Sequence, residues 1–298
     1  MSIIKRILLF LIVNLLVVLS ISFLLSIFNI KPYINAYGLD IKNLAIFCLL
    51  WGFIGSFISL FLSKALAKWL MKVKIIDKTN ENTKFILEMI KNLSNKANLK
   101  YIPEVGIYQS KEINAFATGP SQKRSLIALS SALIDKLHID EIEAIIGHEI
   151  SHIKNGDMVT MTLLQGIINS FVMFLSRILA FLITSNNKER NNKSSYFATR
   201  SLVFVFEIIF MILGSMIIAL YSRKREYKAD YNSAKITSKE KMIKALEALN
   251  KNYELRDLTS EKAAFQSFKI SNNSKKGFIR LFATHPPLKD RIERLKNL

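Results

Sequence analysis

Ala144-Ile145-Ile146-Gly147-His148-Glu149-Ile150-Ser151-His152 decides how the rest of this chain is read. It contains H-E-x-x-H within a pattern that reads as one helix. At about 3.6 residues per turn, His148 and His152 stand one above the other on a single face. Two imidazoles so placed can hold one zinc ion, and Glu149 beside them can take a proton from water at the metal. The chain has four histidines, and two of them are here. Short motif matches also arise by chance, so other residues must complete a metal site.

Around the motif the chain reads as a soluble α+β domain. Asp140 followed by Glu143 is a capping-box-like helix start, and Asn155-Gly156 is a helix end. Upstream, Phe85, Ile86, Met89, Ile90 and Leu93 recur at helical spacing, which predicts a helix over 82–97. Pro103 to Tyr108, Ile113 to Thr118 and Ser125 to Ser130 are short and β-prone, separated by Lys111-Glu112 and Gly119-Pro120. They predict a small antiparallel sheet.

Farther out the composition changes. The 298 residues are 50% hydrophobic yet carry a net charge of +19, and the mean hydropathy is +0.24. That combination implies membrane segments joined to a basic soluble part. The single cysteine, Cys48, excludes a disulfide framework and a cysteine-based zinc site. The lysines beside apolar runs explain most of the charge, which favours anionic lipid over nucleic acid as the partner.

Four apolar runs have membrane length: about 7–30, 44–62, 158–184 and 201–221. The first is too long for a cleaved signal peptide and reads as a retained helix or signal anchor. Lys5-Arg6 before it, and Lys64, Lys68, Lys72 and Lys74 after the second, place the N-terminus and the soluble domain in the cytoplasm. The expected organisation is a membrane hairpin over 1–63, a soluble domain in two parts (64–157, with the motif helix, and 222–298), and a second apolar hairpin over 158–221 between them. Lys188, Arg190, Lys193 and Arg200 in the second hairpin run against the positive-inside trend, and Arg177 and Glu207 are charged at membrane depth. Two arrangements follow: a spanning hairpin with Arg177 paired to Glu207, or a hairpin packed on the protein and partly embedded.

A catalytic zinc needs a third protein ligand. His138 and His285 are the remaining histidines, and a carboxylate is the other common solution. Glu226 is the best carboxylate candidate, with Asp230 one turn later positioned to accept a hydrogen bond from a ligating imidazole. From the residues alone, Glu226 is equally well an ordinary surface carboxylate among Arg223, Lys224 and Arg225.

The chain resembles the membrane-bound zinc metalloproteases of peptidase family M48, which also holds the Ste24 prenyl-protein endopeptidases. The matching pieces are Asn114-Ala115-Phe116-Ala117-Thr118-Gly119-Pro120, His148 to Asp157, Ser222-Arg223 with Arg225-Glu226 and Ala229-Asp230, and Thr284-His285-Pro286-Pro287 with Arg291-Ile292. They lie in the family's order, the apolar runs fall where the family has them, and the likeness covers nearly the whole chain. Lys228 differs from the motif at a position expected to point away from the metal.

The resemblance implies a mostly helical zincin-like (gluzincin) protease domain with four membrane helices and one Zn2+ per chain. It implies His148, His152 and Glu226 as ligands, and Glu149 as the base that moves a proton from the attacking water to the leaving amine. His285 is a candidate stabiliser of the oxyanion, or else a cap packed by Pro286 and Pro287. Asn114, Ala115, Phe116, Ala117, Thr118 and Gly119 would form a sheet edge that binds extended substrate, or else an inner strand. The implied substrates are misfolded or damaged membrane proteins and unfolded polypeptides, in a stress-response role that overlaps other membrane quality-control proteases at a bacterial inner membrane. His152 is six residues from Met158 and Glu226 five from Tyr221, so at ~1.5 Å per residue both would lie within about 10 Å of the membrane surface. Two other readings are an intramembrane protease, which Asp140, Glu141, Glu143, Lys154 and Asp157 argue against, and a non-enzymatic sensor, which has no need of Glu149.

Overall fold

Isoleucines at 142, 146, 150 and 153 repeat at helical spacing, and all four are buried in the core around which the soluble part is built. The computed structural model describes residues 34–35, 38–76, 81–185, 192–260 and 280–298. The first apolar run, about 7–30, lies outside the described residues.

In chain order the elements are strands β1 (Ile34–Asn35) and β2 (Gly38–Leu39), helix α1 (Ile41–Leu70), β3 (Lys74–Ile75), α2 (Glu81–Lys96), β4 (Glu104–Tyr108), β5 (Ala115–Thr118) and β6 (Leu126–Ser130). Helices α3 (Ser131–Lys136), α4 (Ile139–Asn155), α5 (Asp157–Ser185), α6 (Asn192–Ile236), α7 (Lys239–Ser260) and α8 (Leu288–Lys296) follow. Two compact units emerge. One takes the described residues of Met1–Ser59, Met161–Leu220 and Ile279–Ala283; the other takes those of Leu60–Thr160, Tyr221–Phe278 and Thr284–Leu298.

The second unit holds the motif. Its core joins Ile86, Ile90 and Leu93 of α2, Ile127 and Leu129 of β6, the α4 isoleucines, Leu246 of α7 and Leu295 of α8. Fully burying an isoleucine is worth roughly 1.5–3 kcal/mol, so α4 is held mainly by its apolar face. Helix α2 matches the expectation for 82–97 within a residue at each end.

The sheet is mixed, which corrects the expected antiparallel arrangement. Its order is β3-β4-β6-β5, with β4 parallel to β6 and the other two pairs antiparallel. All five residues of β6 are buried while those of β5 are half-buried. The continuous apolar run Leu126-Ile127-Ala128-Leu129 therefore takes the centre, and β5 folds back on its outer side. That leaves β4 to pair with β6 in the same direction. Edge strand β3, hidden in a lysine-rich stretch, was not expected.

The start of α4 also differs from expectation. His138 is the N-cap, and Glu141 reaches back to accept its backbone N–H at 2.9 Å. Asp140 and Glu143 instead accept from Lys241 Nζ at 2.8 and 2.5 Å. The end is as expected: Asn155 closes the helix and Gly156 takes a left-handed φ of 68°, where a β-carbon would be strained. Helix α6 runs through the fourth apolar run and the Glu226 segment without interruption.

In the first unit, Gly52 lets α1 and α5 approach closely, since a β-carbon there would stand 2.2 Å from Ser170 Oγ. Small residues of this kind let membrane helices pack backbone to backbone. Arg177 and Glu207 are buried, and Nη1 donates to Oε1 at 3.0 Å and to the Met173 carbonyl at 2.9 Å. Many large apolar side chains, among them Phe171, Leu182 and Leu213, face outward. Among the described residues, Ile41–Leu70, Asp157–Ser185 and Phe197–Ile236 are long and apolar enough to cross a membrane.

Candidate metal centre

Small and hydroxyl side chains bring α4 and the C-terminal part of α6 together. A β-carbon on Gly147 would stand 2.8 Å from Ser233 Oγ, so glycine leaves room for the neighbouring helix. Ser233 donates to the Ala144 carbonyl at 2.6 Å, and Asn232 Nδ2 donates to Ser151 Oγ at 2.9 Å. This packing carries Glu226 to the histidine face of α4.

There, the Nε2 atoms of His148 and His152 lie 3.1 Å apart. They stand 3.4 and 3.3 Å from the two different oxygens of Glu226. One ligand atom from each of the three residues falls within 4.8 Å of the others. Each imidazole is held from behind. Asp230 Oδ1 lies 2.9 Å from His148 Nδ1, and Asp157 Oδ2 lies 2.5 Å from His152 Nδ1. Ionised carboxylates only accept, so both rings donate from Nδ1, and each ring when neutral carries its lone pair on Nε2.

That leaves two facing nitrogen lone pairs and a carboxylate in need of positive charge. Both Glu226 oxygens are buried, and imidazole nitrogens of His148, His152 and His285 lie 2.9 to 3.4 Å from them. A buried carboxylate without compensating charge is costly, and a cation among these atoms removes the cost. Two histidines and one carboxylate are also a donor set that holds zinc while leaving a position for water. The residues present therefore fit the ion.

The electrostatics point the same way. Glu149, Asp157, Glu226 and Asp230 are all buried here, with the buried guanidinium of Arg291 among them and Arg225 Nη2 3.9 Å from Glu226 Oε1. Burial alone would lower the pKa of His148, but hydrogen bonds to Asp230 and Glu226 push it up to about 10 without a metal. His152 is raised too: burial opposes this, and Asp157 and Glu226 overcome it. Burial would raise Glu226, yet His285, His148 and His152 hold it well below the usual carboxylate range. Protons or a cation must supply the charge that these carboxylates demand.

Arg291 of α8, quoted among the matching pieces without a role, is a residue of this centre. Its Nε and Nη2 donate to Asp230 Oδ2 and Oδ1 at 2.7 and 2.5 Å, and its Nη1 lies 3.7 Å from Glu226 Oε2. Burial works against ionised Asp230, but Arg291 and His148 bring its pKa below the ordinary value. Asp157 was missed as a partner of His152. Its available signal was a carboxylate directly after the Gly156 cap, one turn past the second histidine.

His285 is brought to the centre: its Nδ1 lies 2.9 Å from Glu226 Oε2 while the side chain stays 57% exposed. His138, the remaining histidine, caps α4 instead. Ala115, Phe116, Ala117 and Thr118 form β5, which packs against α4 and, among the described residues, pairs with β6 alone. One edge of β5 is therefore without a strand partner among the described residues. Asn114 is tied to the end of β6, where its N–H donates to Ser130 Oγ at 3.0 Å and its carbonyl accepts the Ser130 N–H at 2.9 Å. Gly119 ends the strand at φ 127°.

With this geometry in view, comparison with known proteins is direct. The profile of "Peptidase family M48" matches residues 80–298. The chain is 42% identical to the protease HtpX homolog of Bacillus subtilis, covering 98% of this chain and 99% of that one. It is 41% identical to the homolog of Methylacidiphilum infernorum over 99% of both chains. It is also 42% identical to protease HtpX of Shewanella pealeana, over 98% of this chain and 99% of that one. The crystal structure of S. mikatae Ste24p superposes with a TM-score of 0.58 at 16% identity, over 84% of this chain and 58% of that one, a likeness of fold. The protein belongs to peptidase family M48, with HtpX proteases as full-length relatives.

Proposed function

We propose that this protein is a membrane-anchored, zinc-dependent endopeptidase. Its substrates are misfolded or damaged membrane proteins, which it cuts at the cytoplasmic face of a bacterial inner membrane. The buried oxygens of Glu226, facing the Nε2 atoms of His148 and His152, carry this reading. One zinc ion per chain among these side chains supplies a Lewis acid for water and for the scissile carbonyl.

The chain's own residues do the rest. Glu149, which sits beside His148 but is outside the ligand set, takes the proton of the attacking water and returns it to the leaving amine. Asp230 and Asp157 keep both imidazoles in the ligating tautomer. Arg291 holds Asp230 in place with two hydrogen bonds. The exposed ring of His285 beside Glu226 donates to the developing oxyanion. An extended peptide adds to the outer edge of β5 through main-chain hydrogen bonds. Recognition of that kind reads backbone more than side chains, which suits unfolded segments of many sequences.

Four membrane helices are proposed, namely the three span-length helices and the run at 7–30. The lysines at 64–74 favour the cytoplasm for the protease domain. Glu226 lies five residues beyond Tyr221 in one unbroken helix, about 8 Å at ~1.5 Å per residue, which supports a site near the membrane surface.

Cleavage of an unfolded membrane protein in detergent, stopped by a chelator and restored by zinc, is the expected behaviour. Cleavage that continues after full metal removal overturns the zinc reading. For topology, Lys193→Cys in a Cys48→Ala background should react with an impermeant reagent outside intact cells. Absence of labelling there would sink the spanning hairpin.

A further inference from the structure

The end of α1 and the sheet edge beside it carry exposed apolar and basic side chains that the chemistry at the metal centre does not use. Trp69 is 75% exposed and Ile102 is 51% exposed, with Leu70 and Ile75 also turned to solvent. These residues all belong to the protease unit. Lys64 and Lys68 donate to the Glu104 carboxylate at 2.6 and 3.0 Å, which ties the end of α1 to the start of β4. Strand β3 pairs with β4, with Ile75 opposite Gly106. Tyr101-Ile102 stand two residues ahead of Glu104, and Trp69-Leu70 directly follow Lys68, so the Lys68–Glu104 pair brings the two segments near each other.

Lysines outnumber carboxylates here. Lys64 and Lys68 are consumed by Glu104, but Lys72, Lys74, Lys100 and Lys123 are exposed and, among the described residues, paired with no carboxylate. The ammonium groups of Lys100 and Lys123 lie 5.8 and 5.9 Å from the Tyr101 ring centroid. Exposed aromatic and aliphatic tips among unpaired lysines suit the zone where acyl chains meet anionic headgroups. Helix α1 itself connects this edge to the apolar stretch that precedes it.

We propose that this edge of the protease unit rests on the surface of an anionic bilayer, with Trp69 and Ile102 inserted at headgroup depth and Lys72, Lys74, Lys100 and Lys123 among lipid phosphates. The proposal rests on the membrane-anchored reading above. Beyond it, the contact adds a second point of attachment, which limits the angle at which the protease unit meets its substrates.

The test uses the full chain in nanodiscs of phosphatidylcholine with or without phosphatidylglycerol, in a Cys48→Ala background. An environment-sensitive fluorophore is placed at Ile102→Cys, at Ile139→Cys as an exposed control in the same unit, and at Ile58→Cys within the apolar part of α1. Nitroxide lipids serve as quenchers. The Ile102 probe should be quenched by shallow nitroxides in phosphatidylglycerol discs, several-fold more than the Ile139 probe, and less at high salt. Each lysine near an anionic surface strengthens contact by about fivefold, so K100E/K123E should abolish the difference. Equal quenching at Ile102 and Ile139 overturns the proposal. So does a blue-shifted Ile102 probe that lipid nitroxides do not reach, because protein then covers the edge. Quenching at Ile58 by deep nitroxides separates the two levels: if Ile58 is unquenched, the anchored reading itself fails.

Discussion

Asp157 Oδ2 lies 2.5 Å from His152 Nδ1, so the residue that opens α5 also orients a metal-site imidazole at the end of α4. Gly156 makes this closure by turning the chain through a left-handed conformation between the two helices. One residue thus serves both the first turn of a membrane-length helix and the metal centre.

Asp157→Asn keeps the size but loses the negative acceptor and permits the wrong tautomer of His152. Zinc affinity should fall by about 10- to 100-fold, as for other outer partners of metal-ligating histidines. Competition with a fluorescent chelator measures it. Unchanged affinity would remove Asp157 from the centre.

The Arg291–Asp230 pair is buried on both sides, so breaking it strands an ion. Arg291→Met should cost about 3–5 kcal/mol of stability, more than Arg291→Lys, which retains the charge but not the two-pronged geometry. Thermal unfolding in detergent, with and without zinc, would show this. A tolerated Met and a damaging Lys would reverse the argument.

Legibility followed range along the chain. That His148 and His152 share one helix face, and Glu226 and Asp230 another, could be read from i, i+4 spacing. That the two pairs meet came only from the likeness to family M48, since nothing local separates Glu226 from a surface carboxylate. Peptide-strand positions were equally local, and β4, β5 and β6 lie where alternation and turn residues put them. Their order could not be read, because it depends on which strand has both faces covered. The helix start at His138 was hidden for a similar reason: Asp140 and Glu143 look like capping residues until Lys241 of α7 claims them. Arg291 reaches the centre from the far end of the chain, and a lone arginine in a short amphipathic helix carries no local sign of burial. Arg177 and Glu207 were easier, because two opposite charges in apolar helices have few alternatives to each other.

That Arg177–Glu207 pair gives a separate prediction. Arg177→Met alone leaves the Glu207 carboxylate buried in an apolar unit and should cost about 3–5 kcal/mol, while Arg177→Met with Glu207→Met should recover most of it. Comparing detergent-solubilised variants by thermal unfolding checks it. A double variant as unstable as the two singles combined would mean that the two side chains act independently.

The most direct measurement pairs metal content with cleavage in Glu149→Gln. This substitution removes the base and spares His148, His152 and Glu226, so purified protein should keep one zinc ion per chain. Its cleavage of an unfolded membrane protein should fall by about 100- to 10,000-fold, the usual contribution of a positioned general base. Wild-type rates of cleavage from a zinc-loaded Glu149→Gln protein would contradict the account.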